Sequence, residues 1–209
     1  TLAADENSFL QKKESIKEII YKIIPDYNSR LNQLKKGEID LTELIKPDDI
    51  DEIKNSKDLI IKPVGGRDYD YIGWNNIDPD VYNSSKKIIP NKLFSDAHTR
   101  RALTLAINRE EILNEYLSGY GQLANGPVSP IFKYALDSSQ TPYAYDVKAA
   151  KELLKQAGWK DENNNGILER NNLEFKFTLY IPSGNPRRSY AGTIVKNNLR
   201  MLGVDVTIQ

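Results

Sequence analysis

The 209-residue chain has no cysteine, one methionine, one histidine and two tryptophans. Without cysteine there are no disulfides, no thiolate chemistry and no cysteine-based zinc site. The lack does not fix a compartment, because a chain of this size can bury a core without covalent staples. The one histidine, His98, stands beside Asp96 in a first helical turn and reads as a solvated residue; a histidine general base needs a partner, and the sequence offers none. Charge of one sign is not in excess either, since 29 Lys and Arg balance 29 Asp and Glu. Phosphate neutralisation and attraction to an anionic membrane both call for a basic surplus, so the balance argues against nucleic-acid binding and polybasic membrane adhesion. Mean hydropathy is −0.57, and no apolar run approaches the roughly 18 residues of a membrane-spanning helix. No signal peptide is legible in TLAADENSFLQKK, which also lacks an initiating Met, and the last residues, VDVTIQ, read as a strand; the chain is expected to be a piece of a longer protein. Gly65-Gly66 is followed by neither Lys-Ser/Thr nor a helix opening, so no phosphate-cradling loop is present.

What is present is an alternation of strand and helix signals over one large domain or two small ones. IKEIIYKII (16–24) predicts a strand halted by Pro25, and 26–37 a short helix closed by Gly37. EIDL (38–41) predicts a further short strand, and 47–56, with Pro47 at its first position, a second helix. DLIIKPV (58–64) and DYDYIGWN (68–75) predict two strands. Residues 95–121 predict two consecutive helices, broken where Asn108 becomes a fresh N-cap with Glu111 three residues on. Ala102, Leu103, Ala106 and Ile107 form the buried stripe there. The stretch 122–145, with three prolines, predicts a long ordered loop. A helix over 146–158 runs from the Asp146 cap to Gly158, with Val147, Ala150, Leu153, Leu154 and Ala157 inward. A strand (173–181), a helix (186–203, with Ala191, Ile194, Val195, Leu199 and Leu202 inward) and a strand (204–208) complete an α/β or α+β chain with a mixed sheet.

DENNNGILE (161–169) approaches the calcium-loop pattern D-x-[DN]-x-[DN]-G-x5-E. Asp161, Asn163, Asn165 and Gly166 fit, and Glu169 would serve at the ninth position, but the twelfth is Asn172 rather than a bidentate Glu. These ligands would hold calcium weakly. The competing reading is a turn between helix and strand, written in the Asn and Gly that left-handed backbone favours. Glu110–Glu111 and DDIDE (48–52) read as solvated or first-turn charge, since adjacent helical residues do not face one another. Ser118 and Ser129 have no base to activate them, so no catalytic residue is expected and the chain is not read as an enzyme. Twelve tyrosines remain to be explained. The cluster YDYIGWNN (69–76) suits a pocket wall, with ordinary strand packing as the alternative.

KLFSDAHTRRALTLAINREEILNEYLSGYGQLANGPVSP (92–130) resembles the signature region of the family 5 extracellular solute-binding proteins, the dipeptide- and oligopeptide-binding components of bacterial ABC importers. Phe94, Asp96, Arg100, Arg101, Ala102, Ala106, Asn108, Arg109, Ile112, Gly121, Ala124, Pro127 and Pro130 stand in step with it. YKIIPDYNSRLNQLKKGEIDL, YDYIGWNN, YDVKAAKELLKQAGW and the stretch from Leu173 to Gln209 resemble further family segments in the same order. The resemblance implies an α/β fold: one lobe of a type II periplasmic-binding-protein-like clamshell, a mixed sheet flanked by helices. Residues 1–209 would be a single lobe, the second of two, lacking the first lobe and the C-terminal return. The implied role is capture of di- or oligopeptides outside the cytoplasmic membrane for an ABC permease. The parent is expected to be an extracytoplasmic, membrane-anchored lipoprotein, monomeric, with no nucleic-acid partner and no cofactor beyond a weakly held calcium. Cleft-facing residues under this reading are Tyr71, Trp74, Asn75, Asn76, Pro127, Ser129, Tyr180, Ser183 and Asn185. The family's aspartate for a peptide α-amino group, in a G-W-x-x-D segment, would lie past Gln209, so the lobe alone is expected to bind weakly or not at all. The alternatives are a non-peptide cargo (a sugar, a nickel chelate, haem) on the same fold, or a calcium-stabilised structural module.

Overall fold

A computed structural model describes every residue except Gln11, Lys13, Glu14, Ser138, Gln140 and Pro142. The chain forms two compact units, Thr1–Ile61 and Lys62–Gln209. In the first, β1 (Leu2–Ala3) and β2 (Glu18–Ile19) make a short antiparallel ribbon. Asp26 then caps α1 (Tyr27–Lys35), its carboxylate accepting from Ser29 N. A 3-10 turn (Pro47–Asp49) leads into α2 (Ile50–Lys54). Tyr27 ties these together: its hydroxyl donates to the Asp49 carboxylate and accepts from Lys46 N. Burial, then the bond to Asp49, raise the Tyr27 pKa above the ordinary tyrosine value.

Most of the expected strand 16–24 is not a strand. Only Glu18–Ile19 has a ladder partner among the described residues, and Ile23 is 92 % exposed. The runs 38–41, 58–64 and 68–75 form no strand ladder, and Ile60 is 95 % exposed. A strand is stable only beside a neighbour that takes up its backbone groups, and alternation alone does not supply one.

The second unit is built on a helical and a βαβ layer. Its first helix, α3 (Pro79–Ser85), was not anticipated, although Asp78 and Pro79 are a cap and a first-turn proline. Then come α4 (Ala97–Leu105), capped by Asp96, and the one-turn α5 (Arg109–Glu111), capped by Asn108 and continued by a π-helical turn, Ile112–Tyr116. The helix break falls where the Asn108 cap places it. The 122–145 loop follows, with a 3-10 turn at Lys133–Ala135. Next is α6 (Val147–Gln156), whose N-cap residue Asp146 donates its amide to Leu105 O at 2.8 Å and so docks α6 on the end of α4. A hairpin of β3 (Glu169–Arg170) and β4 (Leu173–Glu174) leads into β5 (Lys176–Leu179). Finally α7 (Pro186–Arg200) crosses over to β6 (Asp205–Ile208), which pairs with β5 in parallel from Lys176↔Asp205 to Leu179↔Ile208.

The core lies between α4, α6, α7 and the β5–β6 pair. Ala102, Leu103, Ala106 and Ile107 are buried, as are Ala150, Leu154, Val195 and Leu199. An aromatic stack fills the centre: Trp159, 2 % exposed, lies on Phe175 with ring centroids 4.2 Å apart, and Phe94 meets Phe177 edge-on at 5.1 Å. Each such side chain contributes roughly 1.5–3 kcal/mol through removal of apolar area from water. The polar groups buried among them are paired. Trp159 Nε1 donates to Thr99 Oγ1, and the Asn198 side-chain oxygen accepts from Asn108 N.

Candidate functional site

The β5–α7–β6 unit directs attention to one edge. In open α/β sheets, ligands settle outside the carboxyl ends of parallel strands, where a following helix begins. Here that place is the turn 180–185 and the first turn of α7. Asn185 caps α7 by accepting from Arg188 N at 3.1 Å, and Pro186 takes the first helical position. Arg187 and Arg188 therefore stand in the first turn. Cations are disfavoured there by the helix dipole, and this turn holds no acidic residue to offset them.

The offset comes from Asp70. Arg188 Nε donates to Asp70 Oδ1 at 2.8 Å, and Arg187 Nε lies 2.7 Å from Oδ2 without the alignment of a hydrogen bond. Around this pair is a pocket of about 360 Å³ lined by Arg67, Asp68, Tyr69, Tyr71, Arg187 and Arg188. Asp70 sits between two of its wall residues, and the Tyr69 and Tyr71 rings stand 6.0 Å apart. Three arginines against two aspartates leave the site net positive. Such a lining can take a carboxylate on the guanidiniums and an apolar or amide group against the phenol faces.

Contacts of the 122–145 loop tie it down, one of them beside the pocket. Ser129, 3 % exposed, donates through Oγ to Gly66 O at 3.1 Å, anchoring the chain just before Arg67. Arg109 spans the 122–145 loop, donating from Nη1 to Ala124 O at 3.1 Å and from Nη2 to Tyr143 O at 2.7 Å. Arg101 lies over the Tyr143 ring, 5.2 Å from its centroid.

Of the nine residues expected to face a cleft, Tyr71 lines this pocket and is 80 % exposed. Asn185 serves it by capping the helix that carries the arginines, and Ser129 by anchoring its rim. Trp74 is placed elsewhere: its ring packs on Phe94 and Phe177 at the edge of the core, because an indole buries more area there than at a wet rim. The Asn75 side-chain oxygen accepts from Ile77 N, and the Asn76 carbonyl from Asn91 N. Pro127, Tyr180 and Ser183 are exposed and outside the pocket lining. Sequence reasoning missed Arg67, Asp70, Arg187 and Arg188; the signal for the last two was a pair of cations where a helix prefers anions.

The 161–169 loop is closed on itself. Asp161 accepts from Asn165 N at 3.1 Å and Gly166 N at 3.0 Å, and the Asn163 oxygen from Asn165 N at 2.9 Å. Glu169, buried, accepts from Glu162 N and from the Asn163 amide. Asn164 and Gly166 take the left-handed backbone. Among the described residues no group of three or more His, Asp or Glu side chains could hold a metal ion. His98 is exposed, 3.9 Å from Asp96.

With this geometry in hand, comparison with known proteins is decisive. A family model described as bacterial extracellular solute-binding proteins, family 5 Middle, matches residues 1–209. The chain belongs to that family. It is 32% identical over 209 residues to the oligopeptide-binding protein AppA of Bacillus subtilis, covering 97% of this chain and 35% of AppA. The structure of AppA in complex with a nonapeptide superposes with a TM-score of 0.68 at 34% identity, over 90% of this chain and 35% of that one. The dipeptide-binding protein of Escherichia coli K12 is 27% identical over 146 residues, 70% of this chain and 25% of the relative. The chain thus spans about a third or less of the length of these relatives. Its α/β fold is that of the type II periplasmic-binding-protein clamshell, in a family of solute-binding proteins rather than enzymes. Among the described residues, no helix of this family 5 member is long and apolar enough to cross a membrane.

Proposed function

We propose that this chain forms part of one lobe, the second, of a solute-binding protein that captures di- or oligopeptides outside the cytoplasmic membrane and delivers them to an ABC permease. The observation that carries the reading is the pocket in which Arg67, Arg187 and Arg188 converge beside Tyr69 and Tyr71 at the start of α7. A peptide presents the matching chemistry, a carboxylate, repeated amides and varied side chains. The peptide-binding relatives support the cargo assignment. The parent acts as a membrane-anchored monomer whose other lobe closes over the ligand, so most of the burial that gives affinity comes on closure.

The test is native mass spectrometry of the full-length parent, purified without refolding. Co-purified masses that fragment into short peptides support the reading, and their loss in Arg187→Ala/Arg188→Ala ties them to this pocket. A single non-peptide mass, such as a metal chelate, would keep the fold and overturn the cargo. For 161–169 we favour a structural turn, because its oxygens already accept from its own amides. Millimolar calcium should then leave thermal unfolding unchanged; a calcium-dependent rise in Tm that Asp161→Asn abolishes would overturn this.

A further inference from the structure

Asp70 holds its carboxylate against both arginines at the start of α7. It contacts two consecutive arginines from a segment 118 residues away in sequence, in a stretch that belongs to no strand ladder. Its side chain is 35% exposed and those of Arg187 and Arg188 are 41% and 42% exposed, so the ion pairs contribute little to stability. What they change is the field inside the pocket. Asp70 meets the Nε of each guanidinium, and a guanidinium carries five N–H donors, so both arginines keep donors for a second anion. Asp70 thus leaves their hydrogen bonding partly unspent while cancelling one of their two charges.

We infer that Asp70 is a specificity-determining residue: its carboxylate lowers the positive charge of the arginine pocket so that peptides are admitted without selection for acidic ones. This rests on the peptide reading above. The lining holds three arginines and Asp68, and Asp70, paired with two of those arginines, adds a second negative charge that its removal would take away. A ligand carboxylate seated in the pocket interacts with Asp70 at close range, in a site water partly screens. Removing that repulsion should favour an acidic side chain over its neutral isostere by about tenfold.

The experiment uses the full-length parent and two sets of alanine pentapeptides, one with a single glutamate at each of the five positions, the other with glutamine there. Calorimetry gives the Glu/Gln affinity ratio at each position for wild type, Asp70→Asn and Asp70→Glu. The expected result is a ratio about tenfold higher in Asp70→Asn at the position facing the pocket, unchanged elsewhere, larger at low salt, and returned to the wild-type value in Asp70→Glu. Ratios unchanged at all five positions, with peptides still bound, overturn the inference and leave the peptide reading intact. Equal loss of all peptides in both variants assigns Asp70 a purely structural role and also overturns it. If wild type binds none of the peptides, the peptide reading falls and takes the inference with it.

Discussion

Replacing Thr99 with Val should destabilise the second unit far more than an isosteric change suggests. Thr99 is fully buried in α4 and its hydroxyl is used twice: it accepts from Trp159 Nε1 at 3.1 Å and donates to Asp96 Oδ1 at 3.1 Å. Val keeps the shape but leaves a buried indole N–H with no acceptor, a cost of about 1–3 kcal/mol, and removes the bond to Asp96, worth about 1 kcal/mol. Trp159→Phe removes the donor instead. It forfeits part of the stack on Phe175 and the Arg170 contact over the ring, costing about 1–2 kcal/mol. If the orphaned N–H is the dominant penalty, the double variant must be less damaged than the two singles predict, because removing both partners of a hydrogen bond is nearly neutral. The coupling should be about 1–2 kcal/mol in favour of the double variant. Urea unfolding followed by far-UV circular dichroism supplies the four stabilities, with Thr99→Ser as a control that retains the hydroxyl. A coupling under about 0.5 kcal/mol would refute the reasoning, and so would equal loss in Thr99→Ser and Thr99→Val.

Three further outcomes are expected. Asp96 titrates below its ordinary value: burial pushes it up, but hydrogen bonds from Thr99 N and Oγ1 outweigh that. A depressed folded pKa adds stability that is present above the unfolded value and lost as pH falls through the folded one, so between about pH 5 and pH 2 wild type should lose more stability than Asp96→Asn, read by thermal melts across that window. Gly203 adopts φ +83°, and a Cβ there would stand 3.1 Å from Gly166 O, so Gly203→Ala should cost about 1–3 kcal/mol. Gly166→Ala, at φ +85° with nothing within 4 Å, should cost less, and equal losses in denaturant midpoint would show that the clash is relieved. Arg109→Gln should speed hydrogen exchange of amides in the 122–145 loop while those of α6 stay protected, and Arg109→Lys should fail to rescue it, because one ammonium cannot replace a planar fork reaching two carbonyls.

Why some of this was legible and some not follows from the range of each interaction. Local signals carried the helices: the Asp26, Asp96, Asn108 and Asp146 caps each bond an amide three residues on. The same logic would have found α3, had Asp78-Pro79 been weighed as a cap. Strands failed where a partner was required. The apolar runs at 16–24 and 58–64 have the composition of strands, yet pairing is a property of two segments, and this chain holds only a part of what its longer relatives contain. The pocket divides along the same line. Tyr71 was found because an aromatic cluster is visible within eight residues, whereas Asp70 and Arg188 meet across 118. What could have exposed them is a local rule broken for a distant reason. A helix whose first turn holds two arginines and no acid is unfavourable alone and needs an anion brought to it. That anion is Asp70, from the stretch whose missing ladder defeated the strand reading. The failure of local reasoning at 68–75 and the broken rule at 187–188 therefore have one cause, a site assembled from segments that are each unsatisfied by themselves.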